Sequence, residues 1–286
     1  MVLGPLITAQ ALQALQASTP ALVLLDCGFD LADPGAGERA YLAGHLPGAQ
    51  YVHLDRDLSG PKAPEGARSP RFNGRHPLPD RGALAALAGR LGIAPGVPVV
   101  AYDRQGAPYA ARAWWLLRWL GHADVGVLDG GSAAWVDAGG ALSSQAPVAS
   151  AKPPYPARAA AMPAIDAATL ASQLGRVRVL DARAGERFRG EVEPLDPVAG
   201  HIPGASHRFF KDNLGDDGRF RSAAQLRAEF AALGSPAESI VHQCGSGVTA
   251  CHNLLAMAAA GLEGSVLYPG SWSEWCADPR RPIARG

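Results

Sequence analysis

One cysteine in this sequence has the surroundings of a reactive thiol. Cys244 follows the apolar run Ile240 to Gln243, the small residues Gly-Ser-Gly come next, and good helix formers begin near Val248. In a parallel α/β sheet, the loop that leaves the carboxyl end of a strand lies at the ligand-binding edge. Backbone N–H groups of such a loop and the N-terminus of the next helix stabilise a thiolate, the nucleophilic form of cysteine. The stretch therefore predicts a nucleophilic Cys244.

A cysteine that only fills space at the end of a buried strand is the alternative, because free cysteine is among the most buried residue types. A cysteine that only packs requires neither the two glycines nor Ser246, so the loop favours a reactive Cys244. The sequence has 4 cysteines, and their spacing fits neither a disulfide framework nor a zinc site, since no Cys-x-x-Cys pair is present. No metal and no organic cofactor is expected.

The composition is that of a globular protein that acts on a small molecule. The 286 residues are 48% hydrophobic and 18% charged, enough for one large domain or two of ordinary size. The 26 basic and 26 acidic residues give a formal net charge of zero, so the composition does not support a nucleic-acid or membrane partner. No apolar stretch reaches the roughly 20 residues that span a bilayer, and the first residues do not resemble a secretory signal. A cytoplasmic location is expected.

The sequence resembles itself over a long period. The turn Gly-His-x-Pro-Gly-Ala occurs at residues 44–49 and again at 200–205, each time after an apolar strand that ends in aspartate. The apolar run before Cys244 has its counterpart in the run before Asp103. Two copies of one domain explain such a long period better than a solenoid does. Because a carboxylate cannot serve as the sulfur nucleophile, the first copy is expected to be non-catalytic.

The predicted fold is α/β, with two tandem domains that each hold a parallel sheet flanked by helices. Strands separated by helical patterns imply right-handed crossovers and a sheet covered on both faces. The first domain is predicted at residues 1–142 and the second, catalytic domain at residues 164–286. Residues 143–163 between them are rich in proline, alanine and serine, which predicts an extended linker.

Three parts of the sequence together resemble the two-domain rhodanese-type sulfurtransferases: the loop Cys244 to Ala250, the paired Gly-His-x-Pro-Gly-Ala turns and the stretch Tyr268 to Trp275. The resemblance covers nearly the whole chain. It implies tandem rhodanese-like domains with the active site in the second, and a cysteine that accepts a sulfane sulfur as a persulfide. It also implies that the outer sulfur passes to a thiol or to cyanide, with a thioredoxin-like reductant among the acceptors.

Within that family, a loop reading Cys-Gly-Ser-Gly-Val-Thr-Ala is similar to that of enzymes acting on 3-mercaptopyruvate, whereas thiosulfate enzymes carry basic residues after the cysteine. Thiosulfate is a dianion and this loop offers no cation, which supports the distinction. The enolate that leaves from mercaptopyruvate requires a hydrogen-bond donor, which Ser246 provides. Thiosulfate remains the alternative donor. The loop backbone is expected to bind the substrate at Gly245, Gly247, Val248 and Thr249.

The resemblance also assigns a substrate-binding arginine, Arg187. A second family arginine normally follows a Glu-Pro pair, but here Glu193-Pro194 precedes Leu195. A single arginine gives the donor's carboxylate fewer charge-assisted contacts, and Arg208 is a candidate replacement.

By the same resemblance, Asp55 and His76 line up with an acid and a histidine that work with the loop serine. A relay of Ser246, His76 and Asp55 is suited to protonate the leaving enolate, because histidine exchanges protons near neutral pH. The alternative is structural, with His76 an exposed loop residue beside proline and Asp55 a turn residue.

Two other functions fit parts of the pattern. Cysteine-dependent phosphatases use a similar loop, but they carry an arginine at the position that Ala250 occupies here. Phosphate transfer relies on cationic clamps, so a loop without one disfavours it. A rhodanese-like binding module without turnover is the other alternative, and the retained Cys244 argues against it.

Overall fold

The structure is a computed structural model that describes residues 3–64, 68–147, 150–156 and 158–286. Its contacts divide the chain into two compact units, which we name unit 1 and unit 2. Unit 1 consists of Met1–Leu58, Pro79–Ala161 and Leu214–Phe220. Unit 2 consists of Ser59–Leu78, Met162–Asn213 and Arg221–Gly286. Each unit thus includes a short segment from the other half of the sequence, and the domain bounds 1–142 and 164–286 stay a prediction.

The strands of unit 1 form one parallel sheet. They are β1 (Leu6–Ile7), β2 (Val23–Asp26), β3 (Gln50–Tyr51), β4 (Val99–Tyr102) and β5 (Val125–Leu128). Their order across the sheet is β1-β5-β4-β2-β3. Every residue of β2, β4 and β5 is buried, which is typical of strands covered on both faces.

Four helices in the described part of unit 1 connect these strands and a fifth follows β5. They are α1 (Ala9–Ser18), α2 (Ala36–Ala43), α3 (Arg81–Arg90), α4 (Pro108–Leu120) and α5 (Gly131–Asp137). Side chains of Thr8 and Asp80 accept backbone N–H groups at the starts of α1 and α3, as N-caps do. Helix α4 is buried over most of its length, including Trp114 and Trp115. No helix among the residues described is long and apolar enough to cross a membrane.

Unit 2 repeats this architecture. Its parallel strands are β6 (Arg178–Asp181), β7 (Ser206–His207), β8 (Ile240–Gln243) and β9 (Val266–Leu267). Their order is β7-β6-β8-β9, and a parallel bridge from Ala164 to Leu267 stands where β1 pairs with β5 in unit 1. The two sheets therefore share one strand order, which confirms the predicted fold of two similar α/β copies.

The helices of unit 2 are α6 (Ala167–Gln173), α7 (Gly185–Arg189), α8 (Ala223–Ala231), α9 (Ala250–Ala259) and α10 (Ser271–Trp275). Short 3-10 helices occupy Phe210–Asn213 and Ala237–Ser239. Helix α8 begins with a capping box in which Ser222 and Gln225 satisfy each other's backbone N–H groups. A buried cluster containing Tyr268, Trp272 and Trp275 forms the core beside the carboxyl-terminal end of the chain.

The strand register of unit 2 brings the ends of β6 and β8 to one edge of the sheet. Asp181 at the end of β6 pairs with Gln243 at the end of β8, so both strands finish at the same edge of the sheet. The residues that follow them, from Ala182 and from Cys244, therefore emerge side by side.

The repeated turn has a structural role in both units. The Nδ1 atoms of His45 and His201 lie 2.8 Å from the carbonyl oxygens of Tyr41 and Phe188 respectively. Each imidazole also stacks on the ring of that same residue, with ring centroids 4.0 Å apart. These histidines hold the turn against the preceding helix, which is a structural role.

Asp103 is enclosed by its own loop in unit 1. Its Oδ1 accepts the N–H groups of Gln105 and Ala107, and its Oδ2 accepts those of Tyr109 and Ala110, at 2.8 to 3.0 Å. Burial raises the pKa of Asp103, while these N–H donors act in the opposite direction. The backbone loop after β4 thus binds the carboxylate of Asp103, a side chain of the protein, through four N–H groups.

We predict that Asp103→Ala destabilises the protein by on the order of 4 kcal/mol, because it leaves several buried N–H groups without an acceptor. Urea unfolding measures the change. Asp103→Asn, which keeps one acceptor oxygen, should lose roughly half as much. As a control, Asp30→Ala removes an exposed carboxylate that also accepts N–H groups, and it should cost less than about 1 kcal/mol. Equal stability of Asp103→Ala and the wild type would contradict the prediction.

Candidate active site

Cys244 is the first residue after β8, at the sheet edge that the register defines, and it is 2% exposed. Its backbone N–H donates to Oγ of Ser271 over 3.0 Å, and its carbonyl accepts the N–H of Trp272, also over 3.0 Å. The N–H of Ser273 donates to the carbonyl of Gly245. The start of α10 therefore fixes the backbone of the loop from one side. Helix α9 begins at Ala250, two residues later than the sequence suggested.

The loop requires glycine at position 247. Gly247 has a φ of +75°, which only glycine adopts readily, and an added β-carbon would lie 2.3 Å from the carbonyl oxygen of Pro269. The close approach lets the loop pack directly against the turn before α10.

The other cysteines are less suited to act as nucleophiles. Burial, with nearby carboxylates, raises the pKa of Cys27 far above its ordinary value and that of Cys276 to about 12, so both thiols stay protonated at neutral pH. Cys251 lies in α9, and its Sγ is 3.3 Å from the carbonyl oxygen of Gly247, which is a buried packing position. Cys244 is thus the cysteine that follows a strand at the sheet edge of unit 2, whereas Cys27 follows β2 in unit 1.

The structure brings His76 and Ser246 together. Nδ1 of His76 lies 2.7 Å from Oγ of Ser246, and both residues are at least 95% buried. His76 reaches unit 2 because the segment Ser59–Leu78 belongs to it, and the N–H of Arg75 donates to Oγ of Ser273. His76 is therefore not the exposed loop residue of the structural alternative.

Asp55 belongs to unit 1, where its N–H donates to Nδ1 of His53 over 3.1 Å. Its part in a proton relay stays a prediction.

Two guanidinium groups lie against the loop. A β-carbon added to Gly245 would be 2.7 Å from Nη2 of Arg75 and 3.5 Å from both terminal nitrogens of Arg187. The two arginine side chains are 19% and 17% exposed, so part of each remains open to a ligand. Arg187, whose role in substrate binding stays a prediction, thus lies beside the loop of Cys244, and Arg75 is a second cation there that sequence reasoning missed.

Buried carboxylates hold these arginines in place. Nη2 of Arg187 donates to Oε1 of Glu193 over 2.7 Å and lies 3.4 Å from Oδ2 of Asp196. Nη1 of Arg75 binds the other oxygen of Asp196. Burial raises the pKa of Asp196, and the two guanidinium groups oppose that shift. Glu193 also accepts the backbone N–H of Leu195, so the carboxylates order this loop as well as the arginines.

Arg208, the candidate replacement for the second family arginine, contacts a different set of side chains from Arg75 and Arg187. Its Nη2 donates to Asn213 and to Glu229, the latter over 2.7 Å, and its guanidinium lies over the ring of Phe230. Leu195 is 44% exposed and brings no charge. In the sequence, the signal for Arg75 was its position directly before His76. It was overlooked because Arg75 lies in the first half of the sequence, far from Cys244.

The histidines that flank Cys244 in sequence are structural. Burial lowers the pKa of His242 in β8 to about 3, so it stays neutral, and its Nε2 lies 3.2 Å from Sδ of Met257. His252 in α9 has Nδ1 3.1 Å from Nδ2 of Asn213. Within the described ranges, no group of three or more His, Cys, Asp and Glu side chains is arranged to hold a metal ion.

The arrangement combines three chemical capabilities at one sheet edge. The first is the thiol of Cys244 in the backbone loop. The second is the hydroxyl of Ser246, two residues after Cys244, which is hydrogen-bonded to the imidazole of His76. The third is the pair of guanidinium groups beside Gly245. Such a set suits a small anionic substrate that reacts with a nucleophile and leaves a group in need of a proton.

Comparisons with known proteins support this chemistry. The family described as "Rhodanese: Rhodanese-like domain" matches residues 8–138 and 166–278. A Pseudomonas aeruginosa protein named "Probable 3-mercaptopyruvate sulfurtransferase" is 52% identical over 98% of this chain and 98% of its own length. The thiosulfate sulfurtransferase of Cricetulus griseus is 32% identical over 93% of this chain and 90% of its own.

Among solved structures, 3-mercaptopyruvate sulfurtransferase from Leishmania major is similar, with a TM-score of 0.84 and 29% identity over 98% of this chain and 76% of its own. The family pattern matches both halves of the sequence, and the two sheets share one strand order. The chain therefore belongs to the rhodanese family and carries two tandem rhodanese-like domains.

Proposed function

We propose that this protein is a sulfurtransferase that moves a sulfane sulfur from 3-mercaptopyruvate, through a persulfide of Cys244, to a thiol or to cyanide. The observation that carries the proposal is the 2.7 Å contact between Nδ1 of His76 and Oγ of Ser246. Ser246 lies two residues after Cys244 in the same loop. The pair of Ser246 and His76 supplies a proton, which the enolate leaving from mercaptopyruvate needs and a sulfite leaving from thiosulfate does not.

In the first half-reaction, the Cys244 thiolate attacks the sulfur of the donor. A sulfur–sulfur bond forms, the carbon–sulfur bond of the donor breaks, and its electron pair becomes the enolate of pyruvate. Ser246 donates its hydroxyl proton to the enolate carbon and is reprotonated through His76. The donor's own thiol proton stays on the outer sulfur, so the products are pyruvate and the Cys244 persulfide.

The guanidinium groups of Arg75 and Arg187 hold the donor's carboxylate. Each contributes charge-assisted hydrogen bonds, and together they replace the arginine pair that Leu195 interrupts. Because Asp196 and Glu193 already bind one side of these groups, the donor binds the exposed remainder. The carbon–sulfur bond is thereby directed at Cys244 next to Gly245.

In the second half-reaction, an acceptor nucleophile attacks the outer sulfur and Cys244 leaves as a thiolate. A thiol acceptor gives a new persulfide and cyanide gives thiocyanate, so no redox cofactor enters the balance. A thioredoxin-like reductant as acceptor and a cytoplasmic location are part of the proposal.

Thiosulfate is the second candidate donor, and one observation favours it. The loop itself offers no cation, but Arg75 and Arg187 bring two to Gly245, where the sulfonate of a dianion would also be stabilised. Direct comparison of turnover with the two donors decides between them, and faster turnover of thiosulfate would overturn mercaptopyruvate as the preferred donor.

Cys244→Ser is predicted to abolish the persulfide. After incubation with 3-mercaptopyruvate, intact mass spectrometry should show the mass of one added sulfur atom on the wild type and none on the variant. Cys251→Ser, which changes a buried thiol in α9, should still gain the sulfur. An adduct that persists in Cys244→Ser would move the chemistry to another residue.

Ser246→Ala and His76→Ala should each lower kcat with 3-mercaptopyruvate by roughly 100-fold, because proton donation to a leaving group contributes at least that factor. Sulfite leaves from thiosulfate without a proton, so thiosulfate turnover should change much less. Steady-state assays of both variants with both donors test the assignment. Equal losses with the two donors would show that the pair shapes the loop instead of delivering a proton.

Arg75→Ala and Arg187→Ala should each lower kcat/KM for the donor by roughly 10- to 100-fold, the value of a charge-assisted hydrogen bond, mainly through KM. Arg189→Ala is the matched control, because Arg189 lies in the same helix as Arg187 but pairs with the exposed Glu191. Its kinetics should match the wild type. Wild-type kinetics in Arg75→Ala would remove this residue from the substrate site.

A further inference from the structure

Ser271, the first residue of α10, has a backbone conformation that serine normally avoids. Its φ is +54°, in the left-handed region where the β-carbon crowds the backbone. Among the described residues that are not glycine, only Ala107 shares a positive φ. Ser271 is fully buried, so the fold retains this unfavourable conformation in its interior.

The equivalent residue of unit 1 is Gly131. It follows a Gly at the same place, has a φ of +58°, and begins α5 as Ser271 begins α10. The next N–H, of Ser132, donates to the carbonyl of Asp103 over 3.1 Å, as that of Trp272 donates to the carbonyl of Cys244. Glycine therefore suffices to build this turn, and the serine in unit 2 brings something other than the backbone path.

The hydroxyl group of Ser271 is what differs. It must donate its proton to the carbonyl oxygen of Tyr268, 3.0 Å away, because a carbonyl only accepts. Its lone pair then accepts the backbone N–H of Cys244, also at 3.0 Å. The N–H of Tyr268 in turn donates to the carbonyl of His242 in β8. Ser271 thus links the residue that carries the thiol to the neighbouring main chain.

We propose that Ser271 is a positioning residue that fixes the main chain of Cys244 and so aims its sulfur at the donor. The role rests on the proposed function, because it gives a purpose to Ser271 only if Cys244 reacts. Without the hydroxyl, the N–H of buried Cys244 loses this acceptor, while the Trp272 N–H still binds the carbonyl of Cys244 and the Ser273 N–H that of Gly245. The unfavourable φ is the cost of placing a hydroxyl at this point of the turn.

Ser271→Ala and Ser271→Gly test the proposal together. Alanine keeps the β-carbon in the left-handed conformation and removes the hydroxyl, whereas glycine removes the hydroxyl and relieves the conformation. Both should lower kcat about 10-fold, since misplacing a reacting atom by a fraction of an ångström has effects of this order or larger. KM for the donor should change less than about twofold, because the arginines that hold the donor are untouched.

A second readout does not depend on turnover. The rate at which iodoacetamide modifies Cys244, followed on the peptide that contains it, should fall in both variants by a similar factor. Ser265→Ala changes another buried serine of unit 2, outside the loop, and should leave both readouts at wild-type values. Thermal unfolding shows that the variants are folded, and Ser271→Gly should match the wild type most closely because relieved strain offsets the lost hydrogen bond.

Wild-type kcat and alkylation rate in either folded variant would overturn the proposal. A slow alanine variant beside a glycine variant with wild-type rates would also overturn it, because the backbone conformation and not the hydroxyl would then be what matters. If the wild type forms no persulfide from either donor, the proposed function fails. The alkylation rates still report whether Ser271 positions Cys244, so the two failures are distinguishable.

Discussion

Negative charge buried at the end of a β-strand is the constraint on which both units depend. Water is excluded there, so fixed dipoles and cations of the protein must stabilise the charge. Unit 1 meets the requirement with four backbone N–H groups around Asp103. Unit 2 places Cys244 at the equivalent point of its own sheet, directly after β8, where the proposed reaction requires negative charge on the sulfur. The register that ends β6 and β8 together is what lets residues from two strands serve that one charge.

Cations near a thiolate introduce a constraint of their own. Two guanidinium groups beside Gly245 repel each other, and they stay there because Asp196 and Glu193 neutralise them from the protein interior. These carboxylates are 1% and 3% exposed, whereas the arginines are several times more open. Because the carboxylates are buried and the guanidinium groups are partly exposed, the exposed N–H groups of the arginines can bind a small carboxylate. Positive charge is therefore present beside the loop of Cys244, although the loop itself contains no cation.

Local patterns predicted the fold, which the structure confirms, because strands and helices depend on residues close in sequence. The same patterns predict Cys244 as the nucleophile, and that role stays a prediction. Strand, loop and helix around Cys244 follow from periodicity and glycine placement, and the repeat revealed two copies of one architecture. Arg75 was missed, and Arg208 could not be placed from sequence, because both questions depend on which segment packs on which sheet. Residues Ser59–Leu78 belong to unit 2, and no periodicity within them encodes that. Ser271 escaped notice for a similar reason, since its φ is visible only in coordinates.

The comparison of the two loops explains why a thiol alone does not make this site. In unit 1, the residue after Asp103 is Arg104, whose Nη1 binds Asp26 over 2.9 Å and whose Nη2 binds the carbonyl of Gly44. The equivalent position in unit 2 is Gly245, which has no side chain and is approached by two other arginines. The position equivalent to Ser271 is glycine in unit 1, so it offers no hydroxyl to the main chain of residue 103. In the proposed function, Cys244, the open backbone at Gly245 and the Ser271 hydroxyl act together, and unit 1 has Asp103, Arg104 and Gly131 at these three positions.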